Sequence, residues 1–157
     1  MTREEKDLVL QDLCARLPHG VICKTSKGNG HLCSINQTIF GIEYGINIKA
    51  TERDYFNDEE EIKPYLRPLS SMTEEEARDI AILHGYNPVE ILSTKVTDEY
   101  IDIILNDGVC YTIISTILYD EIISSLECFD YLNKKMFDYR GLIPKSLALS
   151  IEVFNPY

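Results

Sequence analysis

The segment Tyr100–Ser115, YIDIILNDGVCYTIIS, constrains the fold most. Apolar residues alternate on both sides of Asn106-Asp107-Gly108, the pattern of two half-buried strands joined by a tight turn. Two registers are open. A two-residue Asp-Gly turn sets Leu105, Ile103 and Ile101 opposite Cys110, Thr112 and Ile114. A three-residue loop sets them opposite Val109, Tyr111 and Ile113. The second gathers the stronger apolar set on one face and is the expected register, with Gly108 left-handed in a bulge.

The remaining elements follow from period and punctuation. Thr2 and Glu5 form a capping-box pattern, and Leu10, Leu13, Cys14 and Leu17 mark one helical face that ends at Pro18 and Gly20. Val21 to Thr25 reads as a strand, followed by a turn at Lys27-Gly28-Asn29-Gly30. A β region spans about Leu32 to Ala50, where Ile42, Tyr44, Ile46 and Ile48 alternate; Gly41 and Gly45 are bulges or weak points in it. Thr51 to Ser71 shows no period and reads as an ordered surface loop anchored by Tyr55, Phe56, Tyr65 and Leu66. A second capping box, Thr73 with Glu76, opens a helix carrying Ala77, Ile80, Ala81 and His84 on one face. Val89 to Thr94 is a candidate strand. Ser124 or Ser125 caps a helix to about Lys135, with Phe129, Leu132 and Met136 stacked. Lys145 to Val153 reads as a short helix or a strand. The expected fold is α+β: one small, mostly antiparallel sheet from segments near 21–25, 35–49, 89–94 and 100–115, with helices at both ends and a central one packed on it. A chain of 157 residues suits a single globular domain over 1–157.

Composition narrows the setting. Hydrophobic residues make up 45% and charged residues 26%, against intrinsic disorder. Apolar runs fall short of the roughly 18 residues that a membrane span requires. The start, MTREEKDLVLQDL, is acidic where a signal peptide is basic, so a cytoplasmic protein off the membrane is expected. Cys14, Cys23, Cys33, Cys110 and Cys128 contain no C-x-x-C pair and read as reduced, buried thiols. The net charge of −11 repels nucleic-acid phosphates and favours basic protein partners. Acids cluster at Asp54, Asp58, Glu59, Glu60 and Glu61 and again at Glu74, Glu75 and Glu76. They are either solvated charges or an acidic face that docks on a basic groove.

Candidate chemistry is sparse. Cys14, His19, Cys23, His31 and Cys33 are soft donors close in sequence, the material of a zinc site. Their spacing lacks the paired cysteines of zinc ribbons, so no cofactor is expected. No Walker loop, nucleophile elbow or H-E-x-x-H helix occurs. Lys27-Gly28-Asn29-Gly30 has a phosphate-loop composition, which a hairpin turn explains better. His84 at a helix end suits the helix dipole. Asp130 and Asp138 recur in two FDY triplets; one reads as a helix-surface charge, the other as a partner for Arg140. In KPYLRP, Pro64 and Pro68 stiffen a loop that presents Tyr65 and Arg67, residue types common at binding hot spots. The plainer alternative packs Tyr65 and Leu66 under the loop and pairs Arg67 with a nearby acid. In MFDYRGLIP, Arg140 is the exposed candidate among core residues.

Three blocks, MTREEKDLVLQDLCARLPHGV, IKPYLRPLSSMTEEE and FDYLNKKMFDYRGLIPKSLAL, cover a little over a third of the chain. They resemble an uncharacterised family of small acidic proteins from bacteriophages and mobile elements of gut bacteria, to which no activity is assigned. The resemblance implies a phage or prophage accessory protein in a bacterial cytoplasm. The expected function is non-enzymatic binding of a host or phage protein, with an acidic face that mimics nucleic acid as its sharpest form. The binding candidates are Tyr65, Arg67, Glu59, Glu60, Glu61 and Arg140. Alternatives are a self-associating scaffold built on the aromatic C-terminal segment, or a small Cys/His metal-dependent module or enzyme.

Overall fold

The structure, a computed structural model, describes residues 1–39, 41–49, 52–57, 61–116 and 125–152. The fold is α+β with mostly antiparallel sheets. Among the described residues there are helices near both ends and one in the centre. The chain forms two compact units, Met1–Leu66 with Leu142–Tyr157, and Arg67–Gly141.

The first unit opens with helix α1, Arg3–Arg16, capped by the reciprocal Thr2–Glu5 box. Two orphan amide donors are satisfied there by residues three apart, so the start is set locally. A 3-10 turn at Leu17–His19 follows, and Gly20 closes it with φ +70°. The expected apolar face is displaced by one residue. Val9, Asp12, Leu13 and Arg16 are buried, while Leu10 and Leu17 are half-buried and Cys14 is exposed.

Six strands follow in this unit: β1 (Ile22–Thr25), β2 (Gly28–Thr38), β3 (Gly41–Lys49), β4 (Glu52–Asn57), β5 (Lys63–Leu66) and a two-residue strand, Leu149–Ser150. The sheet order is β4-β3-β2-β1-β5 with Leu149–Ser150 outermost. All neighbours are antiparallel except that last pair. Gly28 and Gly30 therefore belong to a strand rather than to the expected turn. A Cβ on Gly30 would sit 2.6 Å from the Asn47 carbonyl, so only glycine permits this approach of β2 to β3. One bulge lies in β2 between Leu32 and Ser34, with Ser34 facing Gly45, and a second register shift falls between Asn47 and Lys49 in the β3–β4 pair.

The expected loop over 51–71 contains two strands and a 3-10 turn at Leu69–Ser71. Strand β4 lies at the sheet edge with Phe56 as its buried apolar residue, so its alternation is too sparse to read. Charges on an edge strand also discourage further pairing. Strand β5 carries Pro64, which argues against a central strand. It is accommodated because β5 pairs with β1 at Lys63 and Pro64, and with the last strand at Tyr65 and Leu66.

The second unit holds α2 (Glu74–Leu83), β6 (Ile91–Val96), β7 (Tyr100–Leu105), β8 (Cys110–Ser115) and α3 (Leu126–Lys134). Its strands form a separate antiparallel sheet, β6-β7-β8. The expected single sheet is thus two. Thr73 and Glu76 cap α2 reciprocally, and Ser125 caps α3. The hairpin uses both registers. Near the turn the three-residue loop holds: the Leu105 amide donates to the Val109 carbonyl, Ile103 faces Tyr111, and Gly108 has φ +85°. A bulge then shifts the pairing, so Ile101 faces Ile114. Ile113 and Ile114, consecutive in sequence, are both buried at 2% and 0% exposure. The bulge re-aims one side chain, and apolar burial is the driving term. Ala77, Ile80, Ile101, Ile103, Leu132 and Phe137 centre this core.

Candidate functional site

Most sequence-nominated residues serve the fold. Glu59 and Glu60 lie outside the described residues. Glu61 is exposed and its carboxylate is 2.8 Å from Lys63 Nζ. Tyr65 is buried and its hydroxyl donates to Asn29 Oδ1 at 3.2 Å. A Pro-stiffened loop does not present it, because the segment is strand β5.

Arg67 is gripped within its own unit. Its Nη1 and Nη2 donate to the two Glu76 carboxylate oxygens at 3.0 Å each. Nη2 also donates to the Ser71 carbonyl at 3.1 Å, and the guanidinium lies 4.2 Å from the Phe137 ring centroid. Burial works against the Glu76 carboxylate. Hydrogen bonds from Arg67 and from the Thr73 amide, the Arg67 charge and Lys135 outweigh it, and the carboxyl is held down at about 2. The plainer reading of Arg67 is the observed one. Arg140, nominated as exposed, is 9% exposed, with its guanidinium 4.4 Å from the Tyr139 centroid. Asp130 is exposed on α3, and Asp138 is buried.

The soft donors are dispersed. His31 Nδ1 lies 3.0 Å from the Gly20 carbonyl, and Cys33 Sγ contacts the Gly45 carbonyl at 3.0 Å. Among the described residues no group of three or more His, Cys, Asp or Glu side chains gathers as a metal cage. Burial pushes the Cys23 thiol far up, and the Asp12 charge adds to it. His84 caps α2 but is half-buried, and burial lowers its pKa, which disfavours the cation that a dipole argument wants.

The cysteines divide by exposure: Cys14 and Cys110 are exposed, Cys33 intermediate, Cys23 and Cys128 buried. Brief alkylation of native protein is expected to label Cys14 and Cys110 first, with Cys23 and Cys128 labelled only on unfolding. Peptide mass spectrometry reads this directly. Rapid native labelling of Cys23 would contradict its placement.

A groove of about 460 Å³ lies on α2 and α3, lined by Leu83, Leu126, Glu127, Asp130, Tyr131 and Lys134. Glu127, Asp130, Tyr131 and Lys134 follow at helical spacing, so α3 turns one polar face outward while Cys128 and Leu132 face the core. Leu126 is 84% exposed and Ile82, on α2, 43%. The Tyr131 hydroxyl donates to Asp79 Oδ2 at 3.1 Å, and burial followed by the Asp79 carboxylate pushes its pKa up. Sequence reading missed this surface. Its one signal was Leu126 on the polar side of a helix with a well-formed apolar face.

Fold and surface together define an α+β chain whose second unit carries a groove lined by two leucines, two carboxylates, a tyrosine and a lysine. No family model matches the chain, and no curated protein or solved structure is similar enough to it to count as a match. Among the described residues no helix is long and apolar enough to cross a membrane.

Proposed function

We propose that this is a non-enzymatic accessory protein of phage or prophage origin, acting in a bacterial cytoplasm by binding a host or phage protein. The observation that carries the reading is the α2–α3 groove. Leu126 and Leu83 supply apolar contact, Glu127 and Asp130 supply two carboxylates beside Lys134, and Asp79 adds a third behind Tyr131. The net charge of −11 favours a basic partner and disfavours direct contact with nucleic acid. A basic amphipathic segment, apolar on one side and Lys/Arg-rich on the other, has the matching chemistry. Its sharpest form is competition with nucleic acid for the partner's basic groove. The self-associating alternative is less supported, since Phe137 and Tyr139 are fully buried.

The test is affinity capture from host lysate with wild type, Leu126→Ser, Asp130→Lys and a control reversal at exposed Glu99. Loss of an exposed apolar anchor or a rim charge is expected to lower recovery of one dominant partner about tenfold, with the control unchanged. Equal recovery by all four proteins would overturn the reading.

A further inference from the structure

Lys24 and Lys63 are register partners across the antiparallel β1–β5 pair. Directly opposed side chains leave the sheet on the same face, and like charges there are destabilising. The arrangement is unfavourable for the fold alone. Lys63 Nζ is met by the Glu61 carboxylate at 2.8 Å, whereas Lys24 forms no ion pair with a described residue. The two lysines line a cavity of about 280 Å³ with Thr25, Ser26, Glu61 and Leu149. The volume is at the small end of ligand sites. It is a cationic recess in a chain of net charge −11.

The chemistry of the lining is directional. Two ammonium groups supply charge and hydrogen-bond donors for an oxyanion. Leu149 supplies an apolar wall beside them. The Glu61 carboxylate meets Lys63 as an external anion would, and its side chain is 69% exposed. It is therefore free to swing into solvent when a stronger anion arrives. Its carboxyl is held below the usual range by the hydrogen bond from Lys63 first, then by the charges of Lys63, the N-terminal ammonium and Lys24, against a smaller burial effect.

We propose that the β1–β5 recess binds the phosphate group of a small phosphate monoester between Lys24 and Lys63, displacing Glu61, with the ester's apolar part against Leu149. This site is separate from the helical groove and does not depend on the partner-binding reading.

The test is titration of the full chain with phenyl phosphate, followed by amide chemical shifts at constant ionic strength, with phenol as the uncharged control. Saturable shifts are expected at Lys24–Ser26 and Lys63–Leu66, with none of that pattern for phenol. Lys24→Gln is expected to weaken binding at least tenfold, and Glu61→Gln to tighten it several-fold. Both positions are exposed, so both variants should fold. The melting temperature of Lys24→Gln without ligand should equal or exceed wild type, since a like-charge pair is removed. Unsaturable or scattered shifts, equal affinity in Lys24→Gln, or weaker binding in Glu61→Gln would each overturn the proposal.

Discussion

Replacing Asp12 with alanine while Arg16 remains is expected to destabilise the fold by about 3–5 kcal/mol. Arg16 Nε donates to Asp12 Oδ2 at 2.7 Å and Nη2 to Oδ1 at 2.9 Å, and both side chains are 0% exposed. Such a pair contributes little net stability when formed, because desolvating two ions offsets their attraction. Breaking it is costly, because one buried charge loses the group that neutralised it. The same physics predicts non-additivity. Arg16→Met alone should cost a similar amount, and Asp12→Ala with Arg16→Met should cost less than the two singles together by about 1 kcal/mol or more. Urea denaturation of the four proteins measures the cycle. Strict additivity would mean that the two residues do not act as a unit.

Arg67→Ala is expected to destabilise the protein by about 3 kcal/mol, since it removes a two-pronged charge-assisted contact, a bond to the Ser71 carbonyl and a cation–π contact together. The pH dependence carries a definite sign. The Glu76 carboxyl sits at about 2 in the fold against an ordinary 4.5. A depressed value means that the unfolded chain binds the proton more readily. The stabilisation is therefore fully present above pH 4.5 and is lost as pH falls from there through about 2. Denaturation midpoints from pH 6 to about 2 should decline in wild type, and Glu76→Gln should flatten that decline by an amount on the order of 2 kcal/mol. A parallel decline in both proteins would show that other carboxylates set the acid limb.

Helix starts were legible because they are local. Thr2 with Glu5, Thr73 with Glu76, and Ser125 each satisfy backbone donors within one turn. The Asp107-Gly108 turn was legible for the same reason, since a left-handed residue demands glycine. The hairpin register was legible only near that turn. Farther along, the bulge depended on which isoleucines the core could absorb.

The face of α1 was misread because a buried ion pair looks like surface. Asp12 and Arg16 stand four residues apart, the spacing of an exposed salt bridge, and nothing local reports that both are enclosed. Arg140 was misread because nothing local reports that its side chain is enclosed against Tyr139. Glu76 was placed correctly in its capping box, but read as either a solvated charge or part of an acidic docking face; its grip on Arg67 spans nine residues and a 3-10 turn. Strands β4 and β5 were missed because an edge strand with one inward residue, and a strand carrying Pro64, leave no alternation to count.

For this chain, helix starts, the main hairpin turn, the net charge and the α+β class can all be read from residues taken locally or simply summed. Each of those depends on covalent neighbours or on a plain sum over residues. The tertiary structure alone decided which charges are buried, which lysines stand opposite one another, and which leucine is left bare on α3. Those outcomes depend on residues distant in sequence sharing one volume, where the cost of burying a charge is set by what the fold brings beside it.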